Sequence, residues 1–395
     1  MSSYIFNKEL LQKFSQLETP FYYYDMSLFH NSLNSLKLAA EKYNYHIHYA
    51  LKANANDRIL KTILEYGFGA DCVSGNEVQK AVEIGFPQTK IVFAGVGKND
   101  VEINYAIDHS IFGFNSESIE EIEIINELAI NKQKTVPVSL RINPDIDAIT
   151  HDYLTTGLNE NKFGIPLPFL DEVIDKTNQL TNIKLIGLHF HIGSQITKLT
   201  PFIQLCERVN AIQHDLYEKR GIELEHINLG GGLGINYEDP DSELIPDFEN
   251  FFDIIHKHLK VRGNQQIHFE LGRSVVGQIG SLISRVLYVK KGINKQFAIL
   301  DAGMTDLIRP ALYGSHHKIE NISKQEAPTL NNIYDVVGPV CETSDSFDNN
   351  VKLPKTERAD ILAIRSTGAY GEIMVSQYNL RNKPIAVYSD ELISV

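Results

Sequence analysis

The stretch His46-Ile-His-Tyr-Ala-Leu-Lys52 alternates into an apolar run and gives way to the polar turn Ala53-Asn-Ala-Asn56. A short run of this kind, closed by turn residues, reads as a buried strand. Its last residue is a lysine. Hiding a cation at the end of a buried strand is costly, so burial lowers the pKa and favours the neutral amine, the form that makes an imine with a carbonyl cofactor. A solvated strand end is the plainer explanation of the same residue. The rest of the chain decides between the two.

Outward from this run the pattern repeats. Apolar runs recur at 46–51, 69–73, 91–94, 111–114, 137–142, 184–189, 226–229 and 267–270. Amphipathic helical periods lie between them, for example at 57–66, 76–84, 117–130, 200–219 and 247–260. Eight strands alternating with helices predict an α/β fold, and the count favours a closed parallel (β/α)8 TIM-like barrel over an open doubly wound sheet. The segment 143–166 is long and polar, and a loop of that length in a compact domain usually carries function.

After residue 272 the helical periods vanish. β-rich runs at 274–290, 296–301, 333–337, 361–364, 372–375 and 384–388 are separated by Gly, Pro, Asn and Asp, which predicts a C-terminal antiparallel β domain. The expected division is a barrel over 26–272 and a β-rich domain over 273–395, joined by residues 1–25. The run Phe21-Tyr-Tyr-Tyr24 can add a strand to either domain.

The chain has 395 residues, which makes two domains the default. Its net charge of −13 argues against a nucleic-acid binder, although it leaves room for a local cationic pocket. The first twenty residues hold Glu9 and Glu18 and no apolar core, and no apolar run reaches membrane-spanning length. Cys72, Cys206 and Cys341 are far apart, odd in number and lack metal spacing. They read as reduced thiols of a cytoplasmic protein.

Active sites of parallel barrels sit at the carboxyl ends of the strands. Those ends carry Lys52, Asp71, His189, His191, Ser194, the run Gly230-Gly-Gly232, Glu270, Gly272 and Arg273. The glycines follow the seventh strand, where such barrels hold phosphate, and bare amides can nest around an anion; a tight turn explains them equally well. His189 and His191 face the same side of a strand. They suit one core and one rim histidine, a ring stacked on a flat cofactor, or, last in rank, a metal pair. Glu270 ends an apolar strand and must be paired to stay ionised, either by Arg273 or by a protonated pyridine nitrogen.

These residues resemble the alanine-racemase-like, fold type III pyridoxal phosphate decarboxylases. The segments that carry the resemblance run from about residue 20 to 390: Tyr49-Ala-Leu-Lys-Ala-Asn54, Asp71-Cys-Val-Ser-Gly-Asn-Glu77, Gly187-Leu-His-Phe-His-Ile-Gly-Ser-Gln195, Asn228-Leu-Gly-Gly-Gly-Leu-Gly234, Glu270-Leu-Gly-Arg273, Asp301-Ala-Gly-Met304, Arg309-Pro-Ala-Leu-Tyr313, Gly338-Pro-Val-Cys-Glu342 and Gly368-Ala-Tyr-Gly371. The loop Thr156-Gly-Leu-Asn-Glu-Asn-Lys-Phe-Gly164 points to the diaminopimelate-decarboxylating branch. The resemblance implies that Lys52 binds pyridoxal 5'-phosphate covalently, Asp71 orients that lysine, His191 stacks on the ring and Glu270 binds its nitrogen. It places Ser194, Gly231, Gly232, Gly272, Arg273 and Tyr370 around the phosphate, and assigns Arg273, Arg309, Tyr313, Glu342 and Tyr370 to the substrate. Cys341 would return a proton to the substrate carbon. Cys341 and Glu342 would come from a neighbouring subunit, so the implied active unit is a homodimer. Three departures from the family pattern are Leu271 in place of a common proline, Ser366 near an often acidic position, and the early stop after Leu392-Ile-Ser-Val395.

Overall fold

The structure is a computed structural model that describes residues 6–146, 162–324 and 331–392. It divides into two compact units, one of residues 33–234 and 246–274, the other of residues 1–32, 235–245 and 275–395.

The chain starts with a helix, Lys8–Ser15, and strand β1 (Phe21–Tyr24). Then come β2 (His46–Ala50), β3 (Gly69–Cys72), β4 (Ile91–Phe93), β5 (Gly113–Ser116), β6 (Val136–Asn143), the two-residue β7 (Ile165–Pro166), β8 (Ile183–His189), β9 (His226–Asn228) and β10 (Gln266–Leu271). Strands β2–β6 and β8–β10 coincide with the eight expected runs. They pair in parallel in the order β5-β4-β3-β2-β10-β9-β8-β6, and β5 pairs back onto β6 to close the barrel. The minor strand β7 adds only to the end of β6.

Helices return the chain between strands, and the sequence marks their starts. Asn56 caps Asp57–Glu65, Ser74 caps Gly75–Ile84 and Ser118 caps Ile119–Asn131, each accepting from a backbone N–H of the first turn. Asn99 and Glu102 form a reciprocal capping box on Asp100–Asp108. These caps fix where each helix leaves the rim, and so where each strand end is presented. Of the expected loop 143–166, residues 147–161, which include most of Thr156–Gly164, lie outside the described residues.

The other unit is built on β1, β11 (Gly280–Lys291), β12 (Gln296–Leu300), β13 (Ile319–Asn321), β14 (Asn332–Val337), β15 (Ser346–Leu353), β16 (Ile361–Ile364) and β17 (Ile385–Tyr388). The order is β13-β16-β11-β12-β14-β15, with β1 between β11 and β17. Most pairings are antiparallel; β1–β17 and β12–β14 are parallel. The Phe21 run thus belongs to this sheet. Phe21 and Tyr23 pack with Phe6, Phe14, Ile283, Ile361 and Val387 in its core.

Two expected strands differ. Residues 273–276 form a helical turn, and 372–374 form a 3-10 turn that follows Tyr370 at φ +57° and Gly371 at φ −94°, ψ −90°. In this unit two strands were not anticipated. The short β13 and the edge strand β15 (Ser-Phe-Asp-Asn-Asn-Val-Lys-Leu) carry polar residues depleted in strands, and ladder pairing overrides that preference. Among the described residues no helix is long and apolar enough to cross a membrane.

Candidate active site

Lys52 sits in a single 3-10 turn that ends β2. Pairing of Ala50 with Asp71 sets β3 beside it, and the Lys52 Nζ lies 3.7 Å from Asp71 Oδ2. The Lys52 side chain is 37% exposed while that of Asp71 is fully buried. Deep burial of the lysine, expected from the strand around it, is therefore corrected: the strand is buried, and its terminal side chain reaches the mouth. Its carboxyl partner is strongly perturbed. Burial first, and then the charge of Glu270, push the Asp71 carboxyl up to about 8, against the pull of Lys52. Both Asp71 oxygens are buried without a hydrogen-bond partner among the described residues.

Glu270 is treated in the opposite way. Its Oε1 accepts from Asn115 Nδ2 at 2.8 Å and Asn228 Nδ2 at 2.7 Å, and its Oε2 from His189 Nε2 at 2.9 Å. Burial pushes the Glu270 carboxyl up, but His189, Lys52 and His191 together outweigh it and hold the group below the usual carboxylate range. It is a buried carboxylate at neutral pH. Its partner among the protein's residues is His189 rather than Arg273, whose guanidinium instead donates to Ser194 Oγ at 3.0 Å. Asn115 reaches Glu270 across the barrel interior, a pairing that no local spacing announces. Its one visible sign is a buried amide just after the apolar run 111–114.

His191 is half-buried beside this group. Its Nδ1 accepts from the Gly231 amide at 3.2 Å, so the ring hydrogen sits on Nε2. Burial, then Lys52 and Arg141, hold its pKa well below the ordinary value, and the ring is neutral. Among the described residues no group of His, Cys, Asp or Glu could hold a metal ion.

The glycine run is a close crossing. Gly230 has φ +70°, and a Cβ on Gly231 would lie 2.0 Å from the Glu270 carbonyl oxygen. The Gly230 amide donates to Asn228 Oδ1 at 2.9 Å, so Asn228 ties the carboxylate of Glu270 to the glycine turn. Gly272 is buried against Ala50 and Ala53, next to Lys52. Leu271 is buried and pairs with Tyr49, so the missing proline leaves the strand intact.

In the β unit, Arg309 opens the short helix Arg309–Tyr313 and is 4% exposed. It donates to Tyr237 Oη at 3.0 Å and to His317 Nε2 at 2.9 Å; His317 in turn donates from Nδ1 to the Arg365 carbonyl. Neither Tyr237 nor His317 was singled out from sequence. Tyr313 is half-buried, and Tyr370 is half-buried in a left-handed conformation, a strained state for a tyrosine. Ser366 is buried and donates to Gln278 Oε1 at 2.6 Å, which replaces the absent acidic side chain with a neutral pair. Cys341 and Glu342 are exposed on the turn between β14 and β15, and Tyr378 Oη donates to Glu342 Oε1 at 2.6 Å.

The model of the pyridoxal-dependent decarboxylase pyridoxal-binding domain matches residues 29–277. The chain is 56% identical to a diaminopimelate decarboxylase of Bacteroides thetaiotaomicron over 97% of this chain and 98% of that protein. The chain belongs to the pyridoxal-dependent decarboxylase family. It is 43% identical to a diaminopimelate decarboxylase of Neisseria meningitidis serogroup B, over 94% of this chain and 88% of that one. A crystal structure of the Helicobacter pylori diaminopimelate decarboxylase complexed with L-lysine superposes with a TM-score of 0.89 at 39% identity, covering 96% of this chain and 94% of that chain. A lysine/ornithine decarboxylase of Vibrio vulnificus, 21% identical, shares the fold at a TM-score of 0.83.

The barrel residues fit the cofactor of this family. An ionised carboxylate with three fixed donors, a neutral imidazole, an amine beside an unpartnered buried carboxyl, and a glycine crossing with no room for side chains stand on one rim.

Proposed function

We propose that this chain removes the carboxyl group at the D centre of meso-2,6-diaminopimelate, releasing carbon dioxide and L-lysine in the last step of lysine biosynthesis. The observation that carries the reading is Glu270, a buried carboxylate held in the barrel by hydrogen bonds from Asn115, Asn228 and His189. Such a carboxylate is what a protonated pyridine nitrogen needs as its counter-ion.

When bound, pyridoxal phosphate supplies an aldehyde for the substrate amine and a conjugated ring that takes up the electron pair left by departing carbon dioxide. The protein supplies the rest. Lys52 would hold the cofactor through its amine, and Asp71 would orient that lysine. His191, neutral and flat, would stack on the ring. Ser194, Gly231, Gly232, Gly272, Arg273 and Tyr370 hold the phosphate and its approach. Arginine suits the distal carboxylate of the substrate because its donors match two oxygens at once, a task for Arg273 and Arg309 with Tyr313 and Tyr370 beside them. Glu342 takes the distal ammonium, and Cys341 gives its thiol proton to the carbon that has lost its carboxyl.

Cys341 and Glu342 are assigned to the site of a second copy, which makes the active unit a homodimer. Their exposure on the β14–β15 turn supports this. The proposed setting is the cytoplasm, where Cys341 stays reduced.

Product analysis tests the reading. Purified holoenzyme given meso-diaminopimelate should release carbon dioxide and L-lysine in equal amounts, and the LL isomer, which has no D centre, should be inert. Absence of lysine from the meso isomer rejects the proposal. For the dimer, mixing Lys52→Ala with Cys341→Ala subunits should restore activity; a mixture as inactive as its parents rejects shared sites.

A further inference from the structure

The turn that carries Cys341 and Glu342 spans residues 338–345, between the end of β14 at Val337 and the start of β15 at Ser346. Residues 341–344 are all exposed, so the tip has little packing of its own to fix it. Its neck is different. The Gly338 amide donates to the Asp345 carbonyl at 3.0 Å, and the Asp345 amide to the Glu342 carbonyl at 3.1 Å. The Asp345 side chain turns inward and is 4% exposed. Its Oδ1 accepts from the Met304 amide and its Oδ2 from the Val340 amide, both at 2.6 Å. Met304 closes the segment Asp301-Ala-Gly-Met304 after β12, so one carboxylate staples that segment to the turn. A Cβ on Gly338 would lie 2.4 Å from the same carboxylate, so only glycine leaves it room. Burial pushes the Asp345 carboxyl up while the two amides pull it down, and burial prevails. Keeping such a group in a turn costs stability that an apolar anchor would not.

We infer that Asp345 and Tyr378 are positioning residues for the decarboxylation: Asp345 shapes the turn from inside so that Cys341 and Glu342 are presented ready-formed, and Tyr378 fixes the direction of the Glu342 carboxylate. This rests on the proposed roles of Cys341 and Glu342. A side chain delivered to a second copy cannot be oriented by the site it enters until it arrives, so its own chain must set it beforehand. The hydrogen bond from Tyr378 to Glu342 and the staple at Asp345 do so. They also give the segments 301–304 and 338–342 a common purpose.

The test is steady-state kinetics of the holoenzyme with meso-diaminopimelate. Glu342→Gln should raise KM about tenfold or more, since it removes a charge-assisted bond to the distal ammonium. Tyr378→Phe should raise KM about fivefold with kcat within about twofold, and the double variant should be no worse than Glu342→Gln alone. Inhibition by pimelate, which has no amine, should be the same in Tyr378→Phe and wild type. Asp345→Asn sets an amide NH2 against a backbone N–H, and should lower kcat about tenfold and change the iodoacetamide alkylation rate of Cys341 about threefold or more. The buried Cys72 and Cys206 serve as unlabelled controls for an intact fold. A raised KM in Glu342→Gln with a wild-type KM in Tyr378→Phe overturns the role of Tyr378. Wild-type kinetics and alkylation in Asp345→Asn overturn the role of Asp345. A wild-type KM in Glu342→Gln removes the proposed role of Glu342, and with it that of Tyr378, and leaves Asp345 to stand or fall on Cys341.

Discussion

The two ends of the barrel interior are built from similar residues and behave in opposite ways. At the amino-terminal end of the strands, His48, His226 and His268 form a hydrogen-bonded row. The Lys90 carbonyl can only accept, so His48 Nδ1 carries the hydrogen at 3.1 Å, His48 Nε2 accepts from His268 Nδ1 at 3.0 Å, and His268 Nε2 accepts from His226 Nδ1 at 3.0 Å. One carbonyl thus sets the tautomer of three rings. Burial keeps them neutral: His48 is pulled down to about 4, and His226 and His268 also lie below the ordinary value. At the carboxyl-terminal rim, two buried carboxyls are driven apart instead, Asp71 upward and Glu270 downward. The floor is a neutral polar layer that satisfies itself. The rim keeps a fixed negative charge, a displaced proton and an amine within reach of one another, which is how an active site departs from a merely buried polar cluster.

That contrast is breakable. The largest effect should follow Glu270→Gln, which keeps the shape and removes the charge. Activity should fall about 10²–10³-fold, and the absorption of the bound cofactor should shift with pH where the wild type is flat. A small loss with an unchanged spectrum would mean that the rim charge is structural. Next is Asp71→Asn. A carboxyl whose folded pKa is raised from 3.8 to about 8 contributes stability that is fully present below the unfolded value and lost as pH rises through about 8. The substitution should therefore lower activity about tenfold or more yet raise the melting temperature of the cofactor-free protein, by more at pH 9 than at pH 5. A uniform fall in melting temperature contradicts the strain assigned to this residue.

The floor should respond only in stability. The folded pKa of His48 is lowered to about 4 from 6.5, so its contribution is present above 6.5 and lost as pH falls through about 4. His48→Gln can donate to Lys90 and accept from His268 without titrating. It should leave kcat and KM at wild-type values and cut the loss of stability between pH 7 and pH 4 by about 3 kcal/mol, read from urea unfolding at the two pH values. A changed kcat would erase the distinction between the two ends.

How much of this was legible in the sequence depends on the range of the interaction. The eight barrel strands and the helices between them announced themselves because apolar periodicity is a local signal. The rim list from Lys52 to Arg273 followed from strand ends alone. What escaped was set by partners that no periodicity or spacing announces, most of them far along the chain. Asn115 and Asn228 meet at Glu270 from 155 and 42 residues away. Tyr237 and His317 meet at Arg309 from 72 and 8 residues away. The polar run of β15 becomes a strand only because β14 lies beside it. Lys52 has a different cause: a strand's burial does not fix that of the side chain at its end.

The central claim is that the amine of Lys52 carries the cofactor on this rim. Borohydride reduction of the purified holoenzyme, followed by proteolysis and mass spectrometry, tests it directly. The account predicts the added mass of the reduced cofactor on the peptide containing Lys52 and on no other lysine, and none in Lys52→Ala. The same mass on a different lysine, or its persistence in Lys52→Ala, would contradict it.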